Sequence, residues 1–142
     1  MTLYFLCGIP GSGKTTLARE LAEQCNAKVH SYDDVHNAMS NICRDKEIRQ
    51  KWVDAMNSDL SAGHNVVCDG TNLTVHFRKE IIRQLVQCRK ILLIKSVPLE
   101  ICLQRNKGRE HEAPEHQIRM AAQILEPPKP NEGWDAIYLS CD

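Results

Sequence analysis

The chain has no excess of charge of either sign: 18 Lys and Arg balance 18 Asp and Glu over 142 residues. That excludes the uniform basic field that draws proteins onto duplex nucleic acid whatever its sequence, and leaves room only for a local patch. Long apolar runs are missing too. The N-terminal one is broken at Gly8 after a few residues, and no later stretch nears the roughly 20 residues a membrane helix needs. The expectation is a soluble, cytoplasmic protein with no membrane association. Paired cysteines are absent: Cys7, Cys25, Cys43, Cys68, Cys88, Cys102 and Cys141 are odd in number and form no Cys-x-x-Cys pair. This argues against a zinc cluster or a disulfide framework and predicts reduced thiols, with Cys7 and Cys68 buried in strands. No internal repeat or low-complexity tract breaks the chain, and its length suits one domain, residues 1–142, rather than two.

What the sequence does contain begins with Gly8-Ile9-Pro10-Gly11-Ser12-Gly13-Lys14-Thr15. This is Gly, four residues, then Gly-Lys-Thr, the spacing of a phosphate-cradling loop. Triphosphate oxygens need several donors aimed at one point, and Gly8, Gly11 and Gly13 let the backbone fold close enough to supply them. Ser12 and Thr16 complete the expected nucleotide-binding stretch. Lys14 can reach the β- and γ-phosphates, Thr15 offers its hydroxyl to Mg²⁺, and the following helix points its positive end at the anion. The flanks agree. Leu3 to Cys7 reads as a buried strand, while Leu17, Ala18, Leu21, Ala22 and Cys25 mark one helix face.

From Lys28 onward strand-like and helix-like pieces alternate, which predicts an α/β fold: a mainly parallel sheet of about five strands with helices on both faces, a three-layer sandwich. Lys28 to Tyr32 is the expected second strand, and it ends at Asp33-Asp34, the strand edge where such sheets bind ligands. One Asp is expected to cap the helix Asp34 to Ser40 and the other to act in chemistry. Asp45 to Ala62 reads as a packing helix with Ile48, Trp52, Val53, Met56 and Leu60 on its inner side. Asn65 to Asp69 is a third strand whose terminal carboxylate either supports Mg²⁺ or caps a helix beginning near Thr74. Gly70-Thr71-Asn72 follows as a turn with two hydrogen-bonding side chains. Val75 to Cys88 reads as a helix with Phe77, Ile81, Ile82, Leu85 and Val86 inward and Arg78, Lys79 and Arg83 in solvent.

Lys90 to Val97 is the next strand, followed by a helix over Leu99 to Arg105. The basic run Arg105-Asn106-Lys107-Gly108-Arg109 precedes another helix over Glu115 to Leu125. A basic, Gly-hinged segment between two helices suggests a lid over residues 105–115 that closes on a triphosphate; a solvated charge run is the alternative. Pro127-Pro128-Lys129-Pro130 is an extended link to a last strand, Ile137 to Leu139. His30, His64, His76, His111 and His116 show no ligand spacing and are expected to be structural or solvated.

Taken together, the glycine-rich loop, Tyr32-Asp33-Asp34, Asp69-Gly70-Thr71-Asn72, Val97-Pro98-Leu99-Glu100 with Arg105 and Arg109, and Glu132-Gly133-Trp134-Asp135 resemble the kinase domain of the polynucleotide 5′-hydroxyl kinases over nearly the whole chain. The resemblance implies ATP as phosphate donor, Mg²⁺ as cofactor and RNA or DNA 5′ ends as acceptors. It implies Asp33 as general base, Lys14 and Arg109 as stabilisers of the transferring phosphoryl, Thr15 at the metal and Arg105 at the nucleotide. Acceptor contacts would fall to residue 36, Thr71 and Asn72. Three residues after Asp33 the family usually carries an Arg that grips an acceptor phosphate; here the residue is His36, which lacks the bidentate fork. Many family members also carry a phosphatase or ligase module, a job that here would fall to separate proteins. A kinase of a nucleoside, metabolite or antibiotic, and a nucleotide-gated binding module, are the alternative readings.

Overall fold

The structure, a computed structural model, describes residues 1–110 and 112–141. His111, within the expected lid, therefore lies outside the described residues. Strand β1 (Thr2–Cys7) leads through the glycine-rich loop into α1 (Lys14–Gln24), then β2 (Ala27–Ser31), α2 (Tyr32–Met39), α3 (Asp45–Ser61) and β3 (Asn65–Asp69). The remainder is α4 (Val75–Gln84), β4 (Arg89–Lys95), α5 (Leu99–Asn106), α6 (Glu115–Ile124), a 3-10 turn at Pro130–Glu132 and β5 (Ala136–Ser140). All five strands are parallel, in the order β2-β3-β1-β4-β5.

The alternation of side chains along β1 builds the three layers. Leu3, Phe5 and Cys7 pack on Trp52, Val53, Met56 and Leu60 of α3 and Ile81 of α4. Leu6 points the other way, onto Ala18 of α1, with Tyr4, Leu17 and Leu21 around it. Successive strand residues face opposite sides, so one strand feeds both cores. A third cluster, Ile9 with Cys102, Leu103, Ile118 and Ala121, ties α5 and α6 to the glycine-rich loop. The connection leaving β1 runs toward β2 and the one leaving β3 runs toward β4. The two strands are neighbours and their connections leave on opposite faces, α1 on the Leu6 side and α4 on the Phe5 side. The crevice at the carboxyl ends of such a strand pair is where α/β sheets bind ligands.

Several local expectations change. Helix α2 begins at Tyr32, and its cap is Ser31, whose hydroxyl accepts the Asp34 N–H at 3.3 Å. Neither Asp33 nor Asp34 caps, so both carboxylates sit in the first turn with their side chains released from that job. Asp69 does not cap α4 either, because the Thr74 hydroxyl accepts the Phe77 N–H at 3.1 Å. Helix α4 stops at Gln84 rather than Cys88. Asn57 of α3 takes the Gln84 carbonyl and the Val86 N–H, both at 2.8 Å, and these bonds replace the next helical turn. Arg78, expected in solvent, is fully buried. Its guanidinium bonds to Glu132 and to three backbone carbonyls, those of Asn72, Glu126 and Pro127, partners that local periodicity does not reveal.

Candidate functional site

The glycine-rich loop is held from below by the loop after β3. The Gly8 N–H donates to the Thr71 carbonyl at 3.0 Å, and the Asn72 side-chain amide donates to the Leu6 carbonyl at 2.6 Å. Gly11 and Gly13 have φ of +86° and +96°, a region that favours glycine. A Cβ on Gly11 would lie 2.6 Å from the Cys102 carbonyl oxygen, so α5 closes directly against the loop. Gly13 caps α1 without any side-chain acceptor, which leaves the first N–H groups of the helix directed at the crevice, as anion binding requires.

Above this loop lies a cavity of about 780 Å³, lined by Gly11, Gly13, Lys14, Thr15, Thr16, Asp33, Asp69, Thr71, Asn72, Arg105 and Arg109 among others. The fold thus gathers most of the residues expected from sequence, drawn from five separate segments. Gly8 and Ser12 do not line the cavity; both are buried within the loop. Ser12 is fully buried, and its Oγ has no hydrogen-bond partner among the described residues. His36 is not among the lining residues; its ring stands 6.1 Å from that of Tyr32. Asn72, expected at the acceptor, is 1% exposed, and its amide nitrogen is engaged in joining the two loops.

The charges in the cavity are coupled. Burial pushes the Lys14 ammonium below its usual pKa, and the carboxylates of Asp69 and Asp33 partly restore it. Burial likewise pushes the Asp69 carboxyl up; Lys14 opposes that shift, while Asp33 and Asp34 add to it. The Lys14 ammonium donates to the Ile9 carbonyl at 3.1 Å, and Arg105 reaches the Ser12 carbonyl at 3.5 Å. The base of the 107–112 loop is clamped by Asn106, which exchanges two hydrogen bonds with the Ala113 backbone at 2.7 and 2.9 Å. Arg109 follows on that loop and lines the cavity.

Other lining residues escaped the sequence reading. Lys95 ends β4, and its side chain passes Gly13, with Cε 3.3 Å from where a Gly13 Cβ would stand. Arg49 and Trp52 come from α3, which was expected only to pack. The signal for Trp52 is its indole N–H, a donor that a buried Trp must satisfy; it bonds to the His30 carbonyl at 3.0 Å.

The family model described as an AAA domain matches residues 3–128. Protein kti12 of Schizosaccharomyces pombe (strain 972 / ATCC 24843) is 23% identical over 155 aligned positions, covering 96% of this chain and 55% of that protein, so the chain spans about half the length of the curated relative it matches. Among solved structures, a sugar kinase from Janibacter sp. HTCC2649 superposes with a TM-score of 0.69 at 21% identity, covering 99% of this chain and 85% of that one. A fungal RNA kinase superposes with a TM-score of 0.70 at 14% identity, over 97% of this chain and 37% of that one. The fold is that of the phosphate-loop kinases.

Proposed function

Because the chain belongs to this AAA domain family, we propose that it is an ATP-dependent kinase that moves the γ-phosphoryl group of ATP to the 5′-hydroxyl end of RNA or DNA. The observation that carries the reading is the placement of Asp33 in the same cavity as Lys14, where its charge, with that of Asp69, offsets part of the burial that lowers the lysine's pKa. A carboxylate at the first turn of α2, uncommitted to capping and facing a phosphate loop, is placed to take a proton from a hydroxyl that attacks phosphorus.

In this reading the backbone N–H groups of Gly11 and of Gly13 to Thr16, with the Lys14 ammonium, bind the β- and γ-phosphates. Gly8 and Ser12, buried within the loop, support it. Arg105, already against the loop, holds the nucleotide, and Arg109 meets the charge that develops on the transferring phosphoryl. The Thr15 hydroxyl and the Asp69 carboxylate border the same cavity. They form a hard-oxygen pair that suits Mg²⁺, an ion that takes one or two protein ligands and fills its shell with phosphate oxygens and water. When bound there the metal neutralises phosphate charge. Thr71, on the cavity wall, would contact the acceptor, while His36 stands outside the lining with its ring 6.1 Å from that of Tyr32.

The test is transfer of labelled γ-phosphate to a panel of 5′-hydroxyl oligonucleotides, nucleosides and sugars. Label on the oligonucleotides supports the reading, and label on sugars or nucleosides alone refutes it. One observation favours that second outcome: the balanced charge of the chain offers few contacts to a polyanion, and a small-molecule kinase would show no salt-dependent retention on oligonucleotides.

A further inference from the structure

The part of the cavity built by α2, α3 and α4 contains a cation that the proposed chemistry has not used. The Arg49 guanidinium stands 5.3 Å from the centre of the Phe77 ring, within the range of a cation–π contact. Its Nε is enclosed and has no hydrogen-bond partner, and no carboxylate pairs with Arg49 among the described residues. Glu80, whose carboxylate feels Arg49, is taken by Arg83 at 2.8 Å. Both Arg49 and Phe77 line the same cavity as Asp33 and Tyr32, and the Tyr32 phenol feels the charges of Asp45, Arg49 and Asp33. Tyr32 is itself braced by the edge of Trp52, with ring centroids 5.2 Å apart.

A guanidinium held in place by a ring, lining the cavity and with no carboxylate partner among the described residues, is prepared for an anion that arrives with the ligand. Planar donors in a fixed fork suit a phosphate oxygen pair better than an ammonium would. We infer that Arg49, seated on Phe77, binds an anionic phosphate group on the acceptor, so that the acceptor is a phosphorylated molecule whose free hydroxyl then lies at Asp33. The inference rests on the kinase reading for the word acceptor, but the anion site itself can be measured without turnover. Two sources share this chemistry: the phosphodiester that follows the first nucleotide of a nucleic acid strand, and the phosphate of a small metabolite.

The experiment is equilibrium binding by calorimetry, with a non-hydrolysable ATP analogue present throughout. The probes are a nucleoside, the same nucleoside 3′-monophosphate, a 5′-hydroxyl dinucleotide and a phosphosugar; the proteins are wild type, Arg49→Gln and Arg49→Lys. Wild type is expected to bind the monophosphate at least about tenfold tighter than the nucleoside, the scale of one charge-assisted contact. Arg49→Gln should abolish that preference, Arg49→Lys should restore part of it, and affinity for the ATP analogue should stay the same in all three. A dinucleotide held tighter than the phosphosugar identifies a nucleic acid backbone as the source, and the reverse identifies a small phosphorylated acceptor. A phosphate preference that survives Arg49→Gln, or is absent from wild type, overturns the inference and leaves the kinase reading standing. An Arg49-dependent preference in a protein that transfers no phosphate would retire the kinase reading and keep the site.

Discussion

Arg78 and Glu132, 54 positions apart in the chain, form a two-point ion pair in the core: Nε donates to Oε1 at 2.8 Å and Nη2 to Oε2 at 3.2 Å, with both side chains fully buried. The pair is also hydrogen-bonded all round. Arg78 reaches the carbonyls of Asn72 and Glu126 at 3.0 and 3.1 Å, while Glu132 accepts from the Lys129 backbone at 2.6 Å and the Trp134 indole at 3.1 Å. Asn72 in turn holds the end of β1. The ion pair therefore connects the C-terminal turn to the floor of the phosphate loop.

Glu132→Gln should destabilise the fold strongly, by about 3–5 kcal/mol, because it leaves a buried guanidinium without its counter-charge. The double variant Arg78→Met/Glu132→Gln should cost less than the sum of the two singles. The pH dependence has a definite sign. Burial alone would raise the Glu132 carboxyl, but the bonds from Arg78, Lys129 and Trp134 outweigh it and leave the pKa below the ordinary 4.5. A depressed carboxylate contributes stability that is present above its unfolded pKa and is lost as pH falls through the folded one. Resistance of wild type to urea unfolding should thus fall in acid below that ordinary value, and Glu132→Gln should lack this component.

Gly11→Ala should damage the site and the fold together. The residue has φ +86°, and its Cβ would stand 2.6 Å from the Cys102 carbonyl oxygen, a backbone atom that moves only if α5 does. A loss of about 1–3 kcal/mol is expected from the strain. ATP affinity should fall as well. Normal ATP affinity in this variant would contradict the close docking of α5 on the loop.

The alkaline limit of ATP binding should follow Lys14. Its pKa lies below the usual 10.5, with burial as the main cause and Asp69 as the largest opposing charge. Phosphate binding needs the ammonium, so affinity should fall as pH rises through that lowered value. Asp69→Asn removes the charge that holds the proton on Lys14, and the fall should then begin at a lower pH. Titration of a fluorescent ATP analogue from neutral to alkaline pH measures both curves. A shift to higher pH in the variant would contradict the coupling.

Arg105 and Arg109 should separate kinetically. Arg105 contacts the Ser12 carbonyl at the loop, so Arg105→Ala should mainly weaken ATP binding, by about tenfold. Arg109 comes from the loop after α5 and lines the cavity; in the proposed mechanism it meets the transferring group. Arg109→Ala should lower kcat by about a thousandfold or more while ATP affinity changes little. Single-turnover kinetics with direct ATP titration distinguish the two.

The sequence revealed what is encoded by neighbours. The phosphate loop is contiguous, the strands are short apolar runs, and Ile48, Trp52, Val53, Met56 and Leu60 of α3 are all buried on the face their spacing assigns. It did not reveal what depends on distant partners. Arg78 looks like any exposed helix charge until Glu132 is beside it. Lys95 and Arg49 join the cavity only through the strand order and the packing of α3, neither of which periodicity encodes. The helix cap at Ser31 was missed because two Asp residues next to it are equally good caps by type, and backbone geometry decided among the three.

Asp33→Asn, assayed for γ-phosphate transfer to a 5′-hydroxyl oligonucleotide with ATP affinity measured alongside, tests the central claim most directly. The account predicts a loss of at least about a hundredfold in turnover, the scale of general base catalysis, with ATP affinity changed by less than about threefold, under 1 kcal/mol. Undiminished transfer in the variant would contradict Asp33 as the base. Absence of transfer to the oligonucleotide by the wild type, with ATP still bound, would contradict the proposed activity.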